Sequence, residues 1–208
     1  MKRILIADDH SVVRTGISVL IRDEIQSAEI DECSEGDSVW KKMLLHKYDL
    51  VILDITMPGI DSVSLLKNIF SHFPDQKILI FSMSNEDIYA QRYLLLGVKG
   101  FIYKESSSQE LRSAITTVMN NKRYLSPRLR DILTENELEG SKSNPFNSLS
   151  PRELQVLTLL LEGKNVTEIA NILCISTSTA GTHKARILEK LSVPNLLQLN
   201  KMVHLFGI

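Results

Sequence analysis

Four continuous apolar runs punctuate the N-terminal part of the chain: Ile4–Ala7, Leu50–Leu53, Ile78–Phe81 and Phe101–Tyr103. Runs with no polar alternation suit parallel strands covered on both faces. A fifth run, Ala28–Cys33, alternates apolar and acidic residues, as expected of an edge strand with one wet face. Amphipathic stretches separate these runs, over about 12–24, 37–46, 62–72, 86–96 and 108–121; in the first, Val13, Ile17, Leu20 and Ile21 recur at helical spacing. Strands alternating with helices imply a parallel sheet with helices on both faces, and right-handed crossovers leave few topologies. The expected fold is an α/β doubly wound, flavodoxin-like domain of five parallel strands, with its site at the carboxyl ends of the strands.

The texture changes near Ser126. Residues 126–148 hold Pro127, Pro145, Gly140 and several Ser and Asn, and read as a linker with a short helix around 127–138. From Leu149 onward strand signals stop, and helices are expected over about 150–162, 166–173, 177–191 and 195–205. Ser150, Pro151 and Glu153 make a helix start, with an N-cap, a proline at N1 and an acid at N3; Gly163 ends that helix. The predicted organisation is a domain over 1–125, a linker over 126–148 and a small all-α domain of four helices over 149–208.

Of the 208 residues 43% are hydrophobic and 24% charged, as in an ordinary globular protein. No stretch approaches the roughly 18 apolar residues of a membrane span. Cys33 and Cys174 fit no zinc or disulfide spacing, so reduced thiols and a cytoplasmic location are expected. The net charge is −1, but residues 1–125 carry 15 basic and 17 acidic side chains, whereas residues 149–208 carry 6 and 4. The overall charge argues against a generally basic nucleic-acid binder, while the small asymmetry agrees with a nucleic-acid-facing C-terminal domain.

Three carboxylates fall at strand ends: Asp8 and Asp9 after the first, Asp54 after the third. Clustered carboxylates repel unless a cation is present. A hard divalent ion, Mg²⁺ above all, suits oxygen ligands and can bridge a carboxylate to a phosphoryl oxygen. Ser82 ends the fourth strand and can donate a hydroxyl proton; Lys104 follows the fifth and brings positive charge. His10 reads as a turn or helix-start residue.

In Asp8-Asp9-His10, Asp54-Ile55-Thr56-Met57-Pro58-Gly59, Ser82 and Gly97 to Lys104, residues 1–122 resemble the receiver domains of two-component response regulators. The resemblance implies that Asp54 accepts a phosphoryl group from a phosphohistidine of a sensor histidine kinase. It implies Mg²⁺ held by Asp9, Asp54 and the main-chain carbonyl of Thr56, with Asp8 acting through water. Ser82 and Phe101 become the switch pair, the ring turning inward on phosphorylation, and Lys104 pairs with the phosphoryl oxygens. Ser62 departs from the pattern, which usually has glycine there.

Residues 149–193 resemble the LuxR-type helix-turn-helix of the NarL/FixJ response regulators, through Leu149 to Glu153, Val156-Leu157, Gly163, Glu168 to Ala170, Leu173, Ile175-Ser176, Thr179, Thr182-His183, Ile187 and Lys190-Leu191. The resemblance makes 177–191 the recognition helix, with Thr177, Ser178, Thr182, Lys184, Arg186 and Lys190 available to duplex DNA. It departs at Ala180-Gly181, where the family usually has Val-Lys. The main base-contacting positions of the family map to Gly181, Thr182 and Ala185, none of them charged. His183 reads as a packed structural residue. The last helix, with Leu196, Leu197, Leu199 and Met202, either forms a homodimer contact or closes the domain core.

The function expected is a transcription regulator whose DNA binding is controlled by phosphorylation at Asp54. It is not an enzyme beyond assisting its own phosphotransfer and dephosphorylation: a phosphatase of the haloacid dehalogenase type needs a second Asp where Thr56 stands. The alternative is a receiver that switches a protein-interaction module, its DNA-reading helix degenerate.

Overall fold

The computed structural model describes residues 1–57, 60–138 and 145–205. Pro58 and Gly59 of the acidic motif, and Gly140 of the predicted linker, lie outside them. The described residues divide into two compact units, Met1–Asp131 and Ile132–Ile208.

In the first unit, strands and helices alternate: β1 (Lys2–Ala7), α1 (Ser11–Glu24), β2 (Ala28–Cys33), α2 (Gly36–Leu45), β3 (Leu50–Leu53), α3 (Ser62–His72), β4 (Ile78–Ser82), α4 (Glu86–Leu96), β5 (Gly100–Tyr103) and α5 (Ser108–Met119). All strand pairs are parallel, in the order β2-β1-β3-β4-β5. This is the doubly wound arrangement expected from the apolar runs. Every residue of β3 and β4 is buried, because helices cover both faces. Strand β2 lies at the sheet edge, and only Cys33 in it is buried. One face of the sheet packs Ile4, Ile6, Leu50, Ile52, Leu79 and Phe81 against Ile17, Leu20 and Ile21 of α1 and Leu111, Ile115 and Val118 of α5.

Ser62, the departure noted above, has a structural use. Its buried hydroxyl lies 2.7 Å from the Tyr93 hydroxyl, joining the start of α3 to α4. Burial pushes the Tyr93 phenol up to about 12, with the Ser62 bond only partly opposing it.

A helix, α6 (Pro127–Leu138), lies within the stretch read as linker, where a short helix around 127–138 is expected. It crosses the division between the two units. In the second unit, a 3-10 turn (Pro145–Ser148) precedes α7 (Pro151–Leu161), α8 (Val166–Ile172), α9 (Thr177–Lys190) and α10 (Leu196–Leu205). Side-chain chemistry fixes the starts. Ser150 and Glu153 form a reciprocal capping box on α7, as do Asn165 and Glu168 on α8, and Ser176 accepts from the Thr179 N–H on α9. Gly163 follows α7 at φ +82°, a left-handed stop that glycine adopts freely. The small core gathers Leu154, Val156, Leu157, Ile169, Ala170, Ala180, Ile187, Leu191 and Leu199.

Candidate functional site

The carboxyl ends of the central strands bring the predicted acidic residues together. Asp8 and Asp54 extend the ladders by one residue: the Asp8 N–H donates to the Cys33 carbonyl, and the Asp54 N–H to Ala7. Each residue is only 1% exposed, so these are buried acids and must be compensated. Lys104 does this. Its Nζ lies 2.7 Å from Asp8 Oδ2 and 2.7 Å from Asp54 Oδ2. The Lys104 N–H donates to the Ser82 carbonyl, fixing the lysine at the end of β5. Burial works against the ammonium, but its hydrogen bonds to Asp54 and Asp8 outweigh this and raise its pKa above the usual lysine value. On the other side, the Thr56 N–H and hydroxyl both donate to Asp54 Oδ1, at 2.8 and 2.7 Å. Both oxygens of Asp54 are therefore oriented before any phosphoryl donor arrives.

Asp9 is exposed beside them. His10, read from sequence as a turn residue, takes a larger part. Its N–H donates to Asp8 Oδ1 at 2.9 Å, and its ring Nδ1 lies 3.2 Å from Asp8 and 2.8 Å from Asp9. One ligand atom from each of Asp8, Asp9, His10 and Asp54 lies within 4.8 Å of the others. Three carboxylates against one ammonium leave an excess of negative charge, and the donors are mainly oxygen. Such a set suits a hard divalent cation.

The predicted switch residues flank this cluster. Ser82 is fully buried, and its Oγ accepts from the Ser84 N–H at 3.3 Å. Phe101 is fully buried, with its ring 6.3 Å from that of Tyr93. The inward position that the resemblance associates with phosphorylation is therefore already taken here, because α4 and the sheet supply an apolar slot for the ring.

In the second unit α9 exposes Thr177, Ser178, Thr182 and Arg186 and half-exposes Lys184. Lys190 is engaged elsewhere. Its ammonium lies 2.7 Å from the buried Glu153 carboxylate and donates to the Ser148 carbonyl. That ion pair ties the end of α9 to the start of α7, a structural use that sequence spacing did not reveal. The His183 Nδ1 is buried without a hydrogen-bond partner among the described residues, and burial favours the neutral ring.

A parallel sheet with buried, lysine-bridged aspartates at its carboxyl edge, followed by a helix-turn-helix, defines a receiver coupled to a DNA-binding domain. The comparisons with known proteins agree. Residues 4–116 match the response regulator receiver domain, and residues 147–203 match the bacterial regulatory proteins of the luxR family. The chain is 34% identical over 204 residues to the oxygen regulatory protein NreC of Staphylococcus carnosus, covering 95% of this chain and 94% of that one. It is 30% identical over 208 residues to the response regulator GacA of Pseudomonas protegens, covering 100% and 98%. Among solved structures, RcsB of Salmonella enterica serovar Typhimurium, bound to promoter P1flhDC in the presence of the phosphomimetic BeF3-, is 28% identical. It has a TM-score of 0.68 and covers 97% of this chain and 98% of its own. This chain belongs to the NarL/FixJ family of response regulators, with a receiver and a LuxR-type DNA-binding domain. No helix among the described residues is long and apolar enough to cross a membrane.

Proposed function

We propose that Asp54 is the phosphoacceptor and that its phosphorylation controls binding of the C-terminal domain to duplex DNA. The observation that carries this reading is the Asp54 carboxylate, buried, aimed by Thr56 and paired with Lys104. A carboxylate oxygen of Asp54 attacks the phosphorus of a phosphohistidine on a sensor histidine kinase. The P–O bond forms, the P–N bond breaks, and the histidine nitrogen keeps the electron pair. Lys104 Nζ follows the charge onto the phosphoryl oxygens, and the Ser82 hydroxyl turns from Ser84 to donate to one of them. Phe101, buried with its ring beside Tyr93, is the second half of the switch.

Asp9, Asp54 and the main-chain carbonyl of Thr56 would hold Mg²⁺, with Asp8 reaching it through water. Bound there, the ion neutralises charge on the transferring group. The receiver's own contribution is limited to this phosphotransfer and to its own dephosphorylation. In the DNA-binding domain, Thr177, Ser178, Thr182, Lys184 and Arg186 face the duplex. Lys190 reaches it only by sharing its ammonium with Glu153. The regulator binds as a homodimer once phosphorylated, its α10 presenting Leu197, which is 66% exposed. The receiver spans 1–125, the connection 126–148 and the DNA-binding domain 149–208, all in the cytoplasm. With a small-molecule phosphodonor, the chain incorporates an acid-labile phosphoryl group and the Asp54→Asn variant does not; undiminished labelling of that variant would contradict the assignment.

A further inference from the structure

Helix α9 turns Ala180, Ile187 and Leu191 into the core. At 3.6 residues per turn the opposite face is Ser178, Thr182 and Ala185, all exposed, with Gly181 and Arg186 at its margins and Glu189 one turn further on. A helix-turn-helix meets base edges with the N-terminal part of this helix. Over that part the outward face carries no charge. Gly181 and Ala185 offer no side-chain donor or acceptor. A Cβ built on Gly181 meets nothing within 4 Å, so the face there is open rather than filled by a neighbour. Thr182 has a hydroxyl, but its proton is donated back to the Ser178 carbonyl at 2.9 Å. Beside the Ser178 hydroxyl, which pairs with bases without strong preference, what this face offers a base is the methyl group of Thr182 and that of Ala185.

In the major groove the feature that such methyls recognise is the C5-methyl of thymine; the guanine N7/O6 edge needs a long cation, and the adenine edge an amide. We propose that α9 reads thymine methyl groups, with Thr182 and Ala185 as its specificity-determining residues, so that the preferred duplex carries thymine at fixed positions of each half-site. Lys184 and Arg186, beside this face, supply phosphate attraction without sequence preference. The inference rests on the reading that α9 enters the groove.

The test uses the full chain with beryllofluoride and Mg²⁺. A duplex is first recovered from a random-sequence pool, then synthesised with thymine and again with uracil at each constant thymine, and binding is measured by fluorescence anisotropy. Uracil lacks only the methyl, so affinity should fall about fourfold for each methyl read. Thr182→Ser, which keeps the bond to Ser178, should weaken the thymine duplex more than the uracil duplex, so that the difference between the two shrinks. Equal binding of the two duplexes would overturn the inference while leaving DNA binding intact. Recovery of no duplex at all would overturn both the groove reading and this one.

Discussion

Lys104 is the one cation shared by Asp8 and Asp54 among the ion pairs described at this site, and both acids are buried. Replacing it with methionine leaves two buried carboxylates facing each other. Lys104→Met should therefore cost about 3 kcal/mol or more of receiver stability without divalent ions. Added Mg²⁺ should recover much of that loss. Denaturant titrations with chelator and with Mg²⁺ measure both; a variant whose stability ignores Mg²⁺ contradicts the cation site. Cys174 offers a test of another kind. It sits in the turn between α8 and α9 at φ +52°, exposed, with only a weak thiol contact to the Asn171 carbonyl at 3.8 Å. A side chain in left-handed backbone costs roughly 1–2 kcal/mol. Cys174→Gly should raise the stability of the helix-turn-helix by up to about 1 kcal/mol, read by thermal denaturation, whereas a loss would show that the thiol contact matters more than the backbone. At this scale the strand-end acids and Lys104 were legible in the sequence, because abrupt polar residues after apolar runs stand out. His10 and the Lys190–Glu153 pair were not: a histidine after two acids reads as a turn, and residues 37 positions apart show no spacing.

Among the elements, the joint between α7 and α9 depends on Glu153. Its carboxylate accepts from the Ser150 N–H at 2.6 Å and from Lys190 at 2.7 Å while only 3% exposed. Burial alone would push this carboxyl up, but Lys190 and Ser150 outweigh it and hold its pKa below the ordinary value of 4.5. A depressed folded-state pKa means that the stabilisation is complete above pH 4.5. It is lost as pH falls through the lower folded value. Glu153→Gln should cost about 1–3 kcal/mol near neutrality. It should also flatten the acid limb of the domain's stability profile; a limb unchanged by the substitution would show that other groups set it. Elements themselves were well read from periodicity, and observed helix ends differ by a residue or two where frayed turns compete. Strong cap signals, such as Ser150-Pro151-Glu153 and Gly163, located α7 closely. In α6, the short helix expected within the linker around 127–138 is observed over Pro127–Leu138, with proline at its first turn.

On the scale of the whole molecule, the fold class of the first domain followed from alternation of strand and helix, and the helix-turn-helix from the resemblance of residues 149–193 to the LuxR-type family. What sequence could not supply is the state of the switch. Ser82 hydrogen-bonds to Ser84, and Phe101 is buried, so the ring of the proposed switch pair is inward in this structure. Under the proposed function, phosphorylation of Asp54 brings roughly −1.5 to −2 charges beside Lys104, which draws the Ser82 hydroxyl away from Ser84. The most direct measurement is retention of genomic DNA fragments by the full chain, with and without beryllofluoride and Mg²⁺, followed by sequencing of what is held. Enrichment of one half-site motif only with beryllofluoride is the predicted result. No enrichment in either state would contradict DNA reading and favour a receiver that switches a protein-binding module, and equal enrichment in both states would contradict control by Asp54.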